Sequence, residues 1–198
     1  CGSELRLEAN KASLREAAAA CGVIAVVRPA GSGKSTLSKL FPDDVIDIDD
    51  TVSSDEMQAK LKVLRRAALK AKKKERSKLW AKHDAEFLEP LHQMMEMGKV
   101  NGKIVMLHHP AHAEFLGIKK VFVQKPSRKL HDTVIENRVA GWAEEGKSKN
   151  DIAISKQVIR LNWDQIQTKN VFSTWDEGIT MLLEWLESVE PECKISAK

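Results

Sequence analysis

The sequence predicts an α/β fold of three layers, a parallel sheet of about five strands with helices on both faces. Three observations predict it. Short apolar runs rich in β-branched residues recur at 22–27, 45–49, 103–109, 120–124 and 170–174. Stretches of helix-forming composition separate them, and such alternation marks βαβ units. The runs are close to continuously apolar, as strands buried on both faces are. The chain has 198 residues, 42 % hydrophobic and 30 % charged. That suits one globular domain and excludes a disordered or collagen-like chain. No run approaches the roughly 18 apolar residues of a membrane-spanning helix, so no membrane partner is expected.

Residues 4–20, rich in Ala, Leu and Glu, predict an N-terminal helix stopped by Gly22. The first strand, 22–27, runs into a loop from Arg28 to Thr36 and a helix ending at Pro42. Strand two is Val-Ile-Asp-Ile-Asp, 45–49. Residues 55–97 read as two helices, with Pro90 as a kink or a new start. The Asn101-Gly102 turn leads to strand three, 103–109, and Pro126 closes strand four, 120–124. A helix is expected over 127–145, a loop or mobile lid over 144–151, and renewed helix near 152–161. Strand five, 170–174, precedes a last helix over 176–188. The domain proper is expected to span 22–190, with 1–21 an appended helix and 191–198 a flexible tail.

Cys1, Cys21 and Cys193 form no C-x-x-C and no disulfide framework. Lys and Glu interrupt the first twenty residues, unlike a secretory signal. A reduced, cytoplasmic chain is the expectation. The start at Cys-Gly-Ser reads as a trimmed tag or a segment of a larger polypeptide.

Ligands of open parallel sheets bind at the carboxyl ends of the strands. The chemistry-bearing residues fall there: Arg28 to Thr36 after strand one, Asp47 to Asp50 after strand two, His108 and His109 after strand three, Lys125 to Arg128 after strand four. Gly31, Ser32, Gly33, Lys34, Ser35 and Thr36 form G-S-G-K-S-T between a buried strand and a helix. Glycines let backbone N–H groups turn inward around phosphates, and the helix start adds partial positive charge. Lys34 would reach the transferred phosphate and the Ser35 hydroxyl would ligate Mg²⁺. The full G-x-x-x-x-G-K-[ST] pattern has glycine where Arg28 stands. A side chain there either narrows the loop or brings charge near the phosphates. Asp47 and Asp49, two apart on an expected strand, share a face. One carboxylate would support Mg²⁺ and the other would orient or deprotonate an acceptor hydroxyl. Capping of the following turn is the competing use of Asp49 or Asp50.

With G-S-G-K-S-T and D-I-D-D in place, the order of elements from about 22 to 188 resembles the P-loop kinase group. That group includes nucleoside-monophosphate, shikimate, gluconate and polynucleotide kinases. The resemblance implies a P-loop NTPase fold, ATP or another NTP and Mg²⁺ as cofactors, and phosphoryl transfer as the activity. Carried onto this chain, Asp47 supports Mg²⁺ and Asp49 contacts the acceptor or acts as general base. The 55–97 region grips the acceptor, with Asp50, His108 and Arg128 as further acceptor contacts. The 127–151 lid offers Arg128 and Arg138, and Arg138 is the candidate to close over the transfer. Departures are His108-His109-Pro110 after strand three, where an acid often stands, and a lid without R-x-x-x-R.

His108, His109 and His112 form H-H-x-x-H. Strand neighbours point opposite ways, and Pro110 disfavours a regular helix carrying His109 and His112 together, so packing is favoured over a metal cluster. Trp175 packs an edge or borders a base. Residues 60–82 contain eleven Lys/Arg and one acid, so this segment carries +10 and the rest of the chain −6. Read as one helix, it is a solvated face or binds a polyanion such as RNA or DNA. Three functions are therefore open. The first is a kinase acting on a nucleotide, nucleoside or polynucleotide 5′ end. The second is an NTP-hydrolysing module of a larger nucleic-acid machine, and the third a kinase fold kept for protein contacts.

Overall fold

Aliphatic residues alternate between two faces of a central sheet, and both faces are covered. The computed structural model describes residues 22–52 and 54–195, so the expected helix at 4–20 lies outside them. The elements run β1 (Ile24–Val27), α1 (Lys34–Leu40), β2 (Val45–Asp47), α2 (Ile48–Thr51), α3 (Asp55–Lys70), α4 (Lys73–Glu96) and β3 (Ile104–Leu107). They continue as α5 (Pro110–Phe115), β4 (Lys120–Val123), β5 (Lys125–Pro126), α6 (Arg128–Glu144), α7 (Lys149–Gln165), β6 (Val171–Phe172) and α8 (Trp175–Ile195). The first four strands make one parallel sheet in the order β2-β3-β1-β4, with Ile24 paired to Ile104 on one side and Lys120 on the other.

The period of two sorts the strands. Ala25, Val27, Val105 and Leu107 pack with Leu61 of α3 and Phe87, Leu88 and Leu91 of α4. Ile24, Val26, Ile104 and Met106 pack with Leu37 of α1 and Leu182 and Leu186 of α8. Each fully buried aliphatic side chain contributes about 1.5–3 kcal/mol, so two covered faces require the unbroken apolar runs seen in the sequence. The chain is α/β with helices on both faces of a parallel sheet.

The central sheet has four strands, one fewer than expected. Gln124 N–H donates to Val27 O at 3.0 Å and ends the pairing with β1. The chain continues as β5, which pairs in parallel with β6 in a separate two-stranded ladder. The 55–97 region is two helices, but the break falls at Ala71 and Lys72, both extended. Pro90 lies inside α4. It removes one backbone hydrogen bond, and the burial of Phe87, Leu88 and Leu91 around it outweighs that loss. The basic residues of 60–82 therefore lie on two helices and their turn, not on one.

Three boundaries differ from expectation, two of them because of how the helix starts. Ser148 Oγ accepts from Asp151 N–H, so α7 begins at Lys149 inside the segment expected as loop. Pro110 occupies the first turn of α5, where a missing N–H costs nothing, so it starts a helix carrying His112 instead of preventing one. Thr174 Oγ1 accepts from Glu177 N–H, and α8 runs on to Ile195, through part of the segment expected as tail. Among the described residues no helix is long and apolar enough to cross a membrane.

Candidate functional site

β1 ends against β3 and β4, and its carboxyl end opens onto the loop of residues 28–33. Gly31 and Gly33 have φ of +79° and +78°, a region that favours glycine. A Cβ on Gly33 would lie 3.0 Å from the Trp175 ring, so the loop and the start of α8 approach too closely for a side chain. Ala30 is gripped at both backbone groups. Its N–H donates to Asn162 Oδ1 at 2.7 Å, and its carbonyl accepts from His131 Nε2 at 2.9 Å. Asn162 Nδ2 also donates to His108 O at 3.2 Å, tying α7 to the end of β3. Among the described residues the N–H groups of Gly31, Ser32 and Gly33 meet no acceptor.

Arg28 does not narrow the loop, and its charge reaches Lys34 from behind it. Its side chain is 1 % exposed and runs behind the loop. The guanidinium lies 5.0 Å from the centre of the Phe172 ring and donates to Gly178 O at 3.2 Å and Ser32 O at 3.4 Å. With the Gln124 amide oriented to satisfy both its atoms, its oxygen accepts from Arg28 at 2.7 and 3.0 Å and its nitrogen donates to Gly178 O. Burial pulls the Arg28 pKa down to about 9, so it stays charged at neutral pH.

Five predicted residues converge. Ser35 Oγ donates to Asp47 Oδ2 at 2.8 Å. Lys34 Nζ donates to His108 Nδ1 at 2.9 Å. An ammonium only donates, so Nδ1 accepts and Nε2 carries the proton that His108 gives to Asp49 Oδ1 at 2.9 Å. Asp49 is not on the strand face that it was expected to share with Asp47. Asp47 ends β2 and caps α2, accepting from Asp49 N–H, and that helical turn swings Asp49 round to His108. The Asp49 side chain is 50 % exposed, open to an incoming molecule.

Burial lowers the Lys34 pKa, with Asp49 and Asp47 opposing and Arg138 and Arg28 adding to the effect. Burial raises that of Asp47, against the attraction of Lys34 and the bond from Ser35. For Asp49 burial also opposes ionisation, but His108, Lys34 and Arg65 outweigh it and hold the carboxyl well below the usual carboxylate range.

The remaining predicted residues divide. Arg138 is exposed on α6, on the same face as His131 and Ile135, and its charge reaches Lys34. Thr36 is exposed in the first turn of α1. Asp50 is exposed and accepts from Ser38 Oγ of α1 at 3.3 Å. Arg128 is engaged elsewhere: Asp164 at 2.8 Å, Asp132 at 3.3 Å, and the Trp163 ring. His109 caps α5, accepting from Ala111 N–H, and His112 is buried beside Phe87. No group of three or more His, Cys, Asp or Glu that could hold a metal ion occurs among the described residues. Trp175 is 38 % exposed over Gly33.

The structure adds residues that carried no local signal: Gln124 behind the loop, and His131 and Asn162 on it. Arg65, half-buried and acting on Asp49, was hidden among the basic residues of 60–82. No model of a known protein family matches this chain, and no curated protein matches it.

Proposed function

We propose that this protein is a Mg-ATP-dependent phosphotransferase of the P-loop kinase type, built on a three-layer P-loop fold. Its acceptor would be a hydroxyl or phosphate of a nucleotide, nucleoside or polynucleotide end. One observation carries this reading. Lys34, His108 and Asp49 form a continuous hydrogen-bonded chain beside the Ser35–Asp47 pair, at the carboxyl ends of three neighbouring strands.

The residues fit Mg²⁺. Ser35 Oγ and the Asp47 carboxylate are hard oxygen donors in contact, and two protein ligands leave positions for water and phosphate oxygens. Bound there, the ion would offset charge on the phosphates. The free N–H groups of residues 31–33 would bind phosphate oxygens, and Lys34 would turn from His108 to the transferring group. Asp49, ionised and half exposed, would accept the proton of an acceptor hydroxyl. His108 Nε2 would hold that carboxylate in place, and Arg138 would close over the phosphates from α6.

The test is incubation with labelled ATP and a panel of acceptors. Label is expected on an acceptor, with losses of about 10²-fold or more in Lys34→Ala and about 10²- to 10⁴-fold in Asp49→Asn. Asp49→Asn should keep its nucleotide affinity. Undiminished transfer by Lys34→Ala would overturn the assignment. Release of free phosphate alone, stimulated by RNA, would favour the NTP-hydrolysing module.

A further inference from the structure

Apart from Lys82, exposed on α4, the basic residues of 60–82 fall into two groups that one-dimensional charge counting merges. On the body of α3 three are ion-paired and the fourth, Arg65, lies within reach of the Asp49 charge while its Nε donates to Leu61 O. Lys60 pairs with Glu86 at 2.6 Å, and Lys62 and Arg66 pair with Asp151. At the turn between α3 and α4 the pattern changes. Lys70, Lys72, Lys73, Lys74, Arg76 and Lys78 are all exposed, and none has a carboxylate partner among the described residues. Arg76 spends two donors on Ala71 O, a neutral group. Glu75, the one acid of the stretch, pairs with none of them. Six like charges thus gather at the turn of a helical hairpin, where they repel one another.

The composition of the tip narrows what would bind there. Residues 70–78 hold no apolar side chain larger than alanine. A membrane-seated helix needs an apolar face beside its charges, and protein interfaces are poor in lysine and rich in aromatic anchors. Exposed lysines without aromatics suit the regular phosphates of a nucleic-acid backbone, gripped without reading base sequence.

We propose that the tip of the α3–α4 hairpin docks the phosphate backbone of a nucleic-acid strand. The proposal deepens the transferase reading and, for the role of the strand as acceptor, rests on it. Arg65, within reach of the Asp49 charge, and Lys70 are five residues apart on one helix, about 8 Å of axial rise. A strand seated on the tip would lie with its end within a few nucleotides of Asp49, while Lys62 and Arg66 remain occupied by Asp151.

The experiment measures binding of fluorescent 20-nucleotide single-stranded RNA and DNA across a salt series. The probe protein is the full chain, its Lys72→Gln, Lys73→Gln, Lys74→Gln, Lys78→Gln variant, or a control carrying glutamine at exposed Lys39, Lys99, Lys119 and Lys129. The tip variant is expected to lose at least tenfold in affinity at about 100 mM salt. Its log–log salt slope should become shallower by about 2–3, near 0.7 for each phosphate that the variant no longer neutralises. The control should lose less than threefold, and affinity for an ATP analogue should be unchanged in all three. Equal losses in tip and control variants would overturn the proposal, as would tip-dependent binding of phosphatidylserine vesicles or polyglutamate as tight as that of RNA. Strand binding without transfer to any acceptor would remove the transferase reading and leave this surface standing. Transfer to nucleosides without tip-dependent strand binding would do the reverse.

Discussion

Arg28 stands where the phosphate-loop pattern puts its first glycine, and the structure gives a reason. Among the described residues no non-glycine has a positive φ, so this position makes no demand for glycine. Its N–H donates to Leu107 O at 2.9 Å, continuing the pairing of β1 with β3, and the side chain then leaves behind the loop. There it joins Gln124, Phe172 and Gly178, from the end of β4, from β6 and from α8, which meet only in the fold. Arg28→Gly, which restores the pattern, should therefore weaken the protein. It takes from the Gln124 amide oxygen its Arg28 donors, leaves the Gly178 carbonyl with the Gln124 amide alone and opens a void beside Phe172, a loss of about 2–4 kcal/mol. Urea unfolding measures this, and an unchanged midpoint would show the buried guanidinium to be dispensable. Asp49 follows the same logic. Its two-residue spacing from Asp47 was legible, but α2 turned it to His108, 59 residues away in sequence.

At the scale of elements, caps decided boundaries that composition left loose. Ser148 starts α7 early, and so Asp151 sits in a helical first turn where Lys62 and Arg66 of α3 both reach it. This joins the α3–α4 hairpin to the helix whose Asn162 grips Ala30. Asp151→Ala should move the urea midpoint only a little, because partly exposed ion pairs at the surface contribute little to global stability. Amide hydrogen exchange over residues 145–152 should nevertheless quicken several-fold. Unchanged exchange there would mean that the contact holds nothing in place. The break at Ala71 and Lys72 carried no turn signal. It is set by antiparallel packing of α3 and α4 through Leu61, Phe87 and Leu88, which also overrides the helix-breaking tendency of Pro90.

Across the whole molecule, the site is wedged against a buried aromatic and histidine cluster. Asp84, His83, His108 and His109 surround His112, whose Nδ1 has no hydrogen-bond partner among the described residues. Burial depresses the His112 pKa from 6.5 to about 3. The folded protein takes that proton only near pH 3, whereas the unfolded chain takes it near 6.5, so the unfolded state binds more protons between them. Stability is then full above about pH 6.5 and falls as the pH drops through this window, by something on the order of 3–5 kcal/mol from this group. His112→Phe should flatten that part of the stability–pH curve. A curve of unchanged slope in the variant would assign the acid sensitivity to other groups.

The amino-acid sequence by itself determined the alternation of strands and helices, the glycine-lysine-serine loop, the aspartates after the second strand and the basic segment. These are local properties, written in periodicity, chain direction and composition over a few residues. Only the tertiary structure decided which charges meet. Lys34, His108 and Asp49 join through strand order, Arg28 finds Gln124 and Gly178 behind the loop, and Asp151 takes Lys62 and Arg66 of α3 but reaches none of the charges at its tip. Such pairs lie tens of residues apart in the chain, where pattern carries no information about distance. They form only once burial of the two sheet faces has brought their elements together.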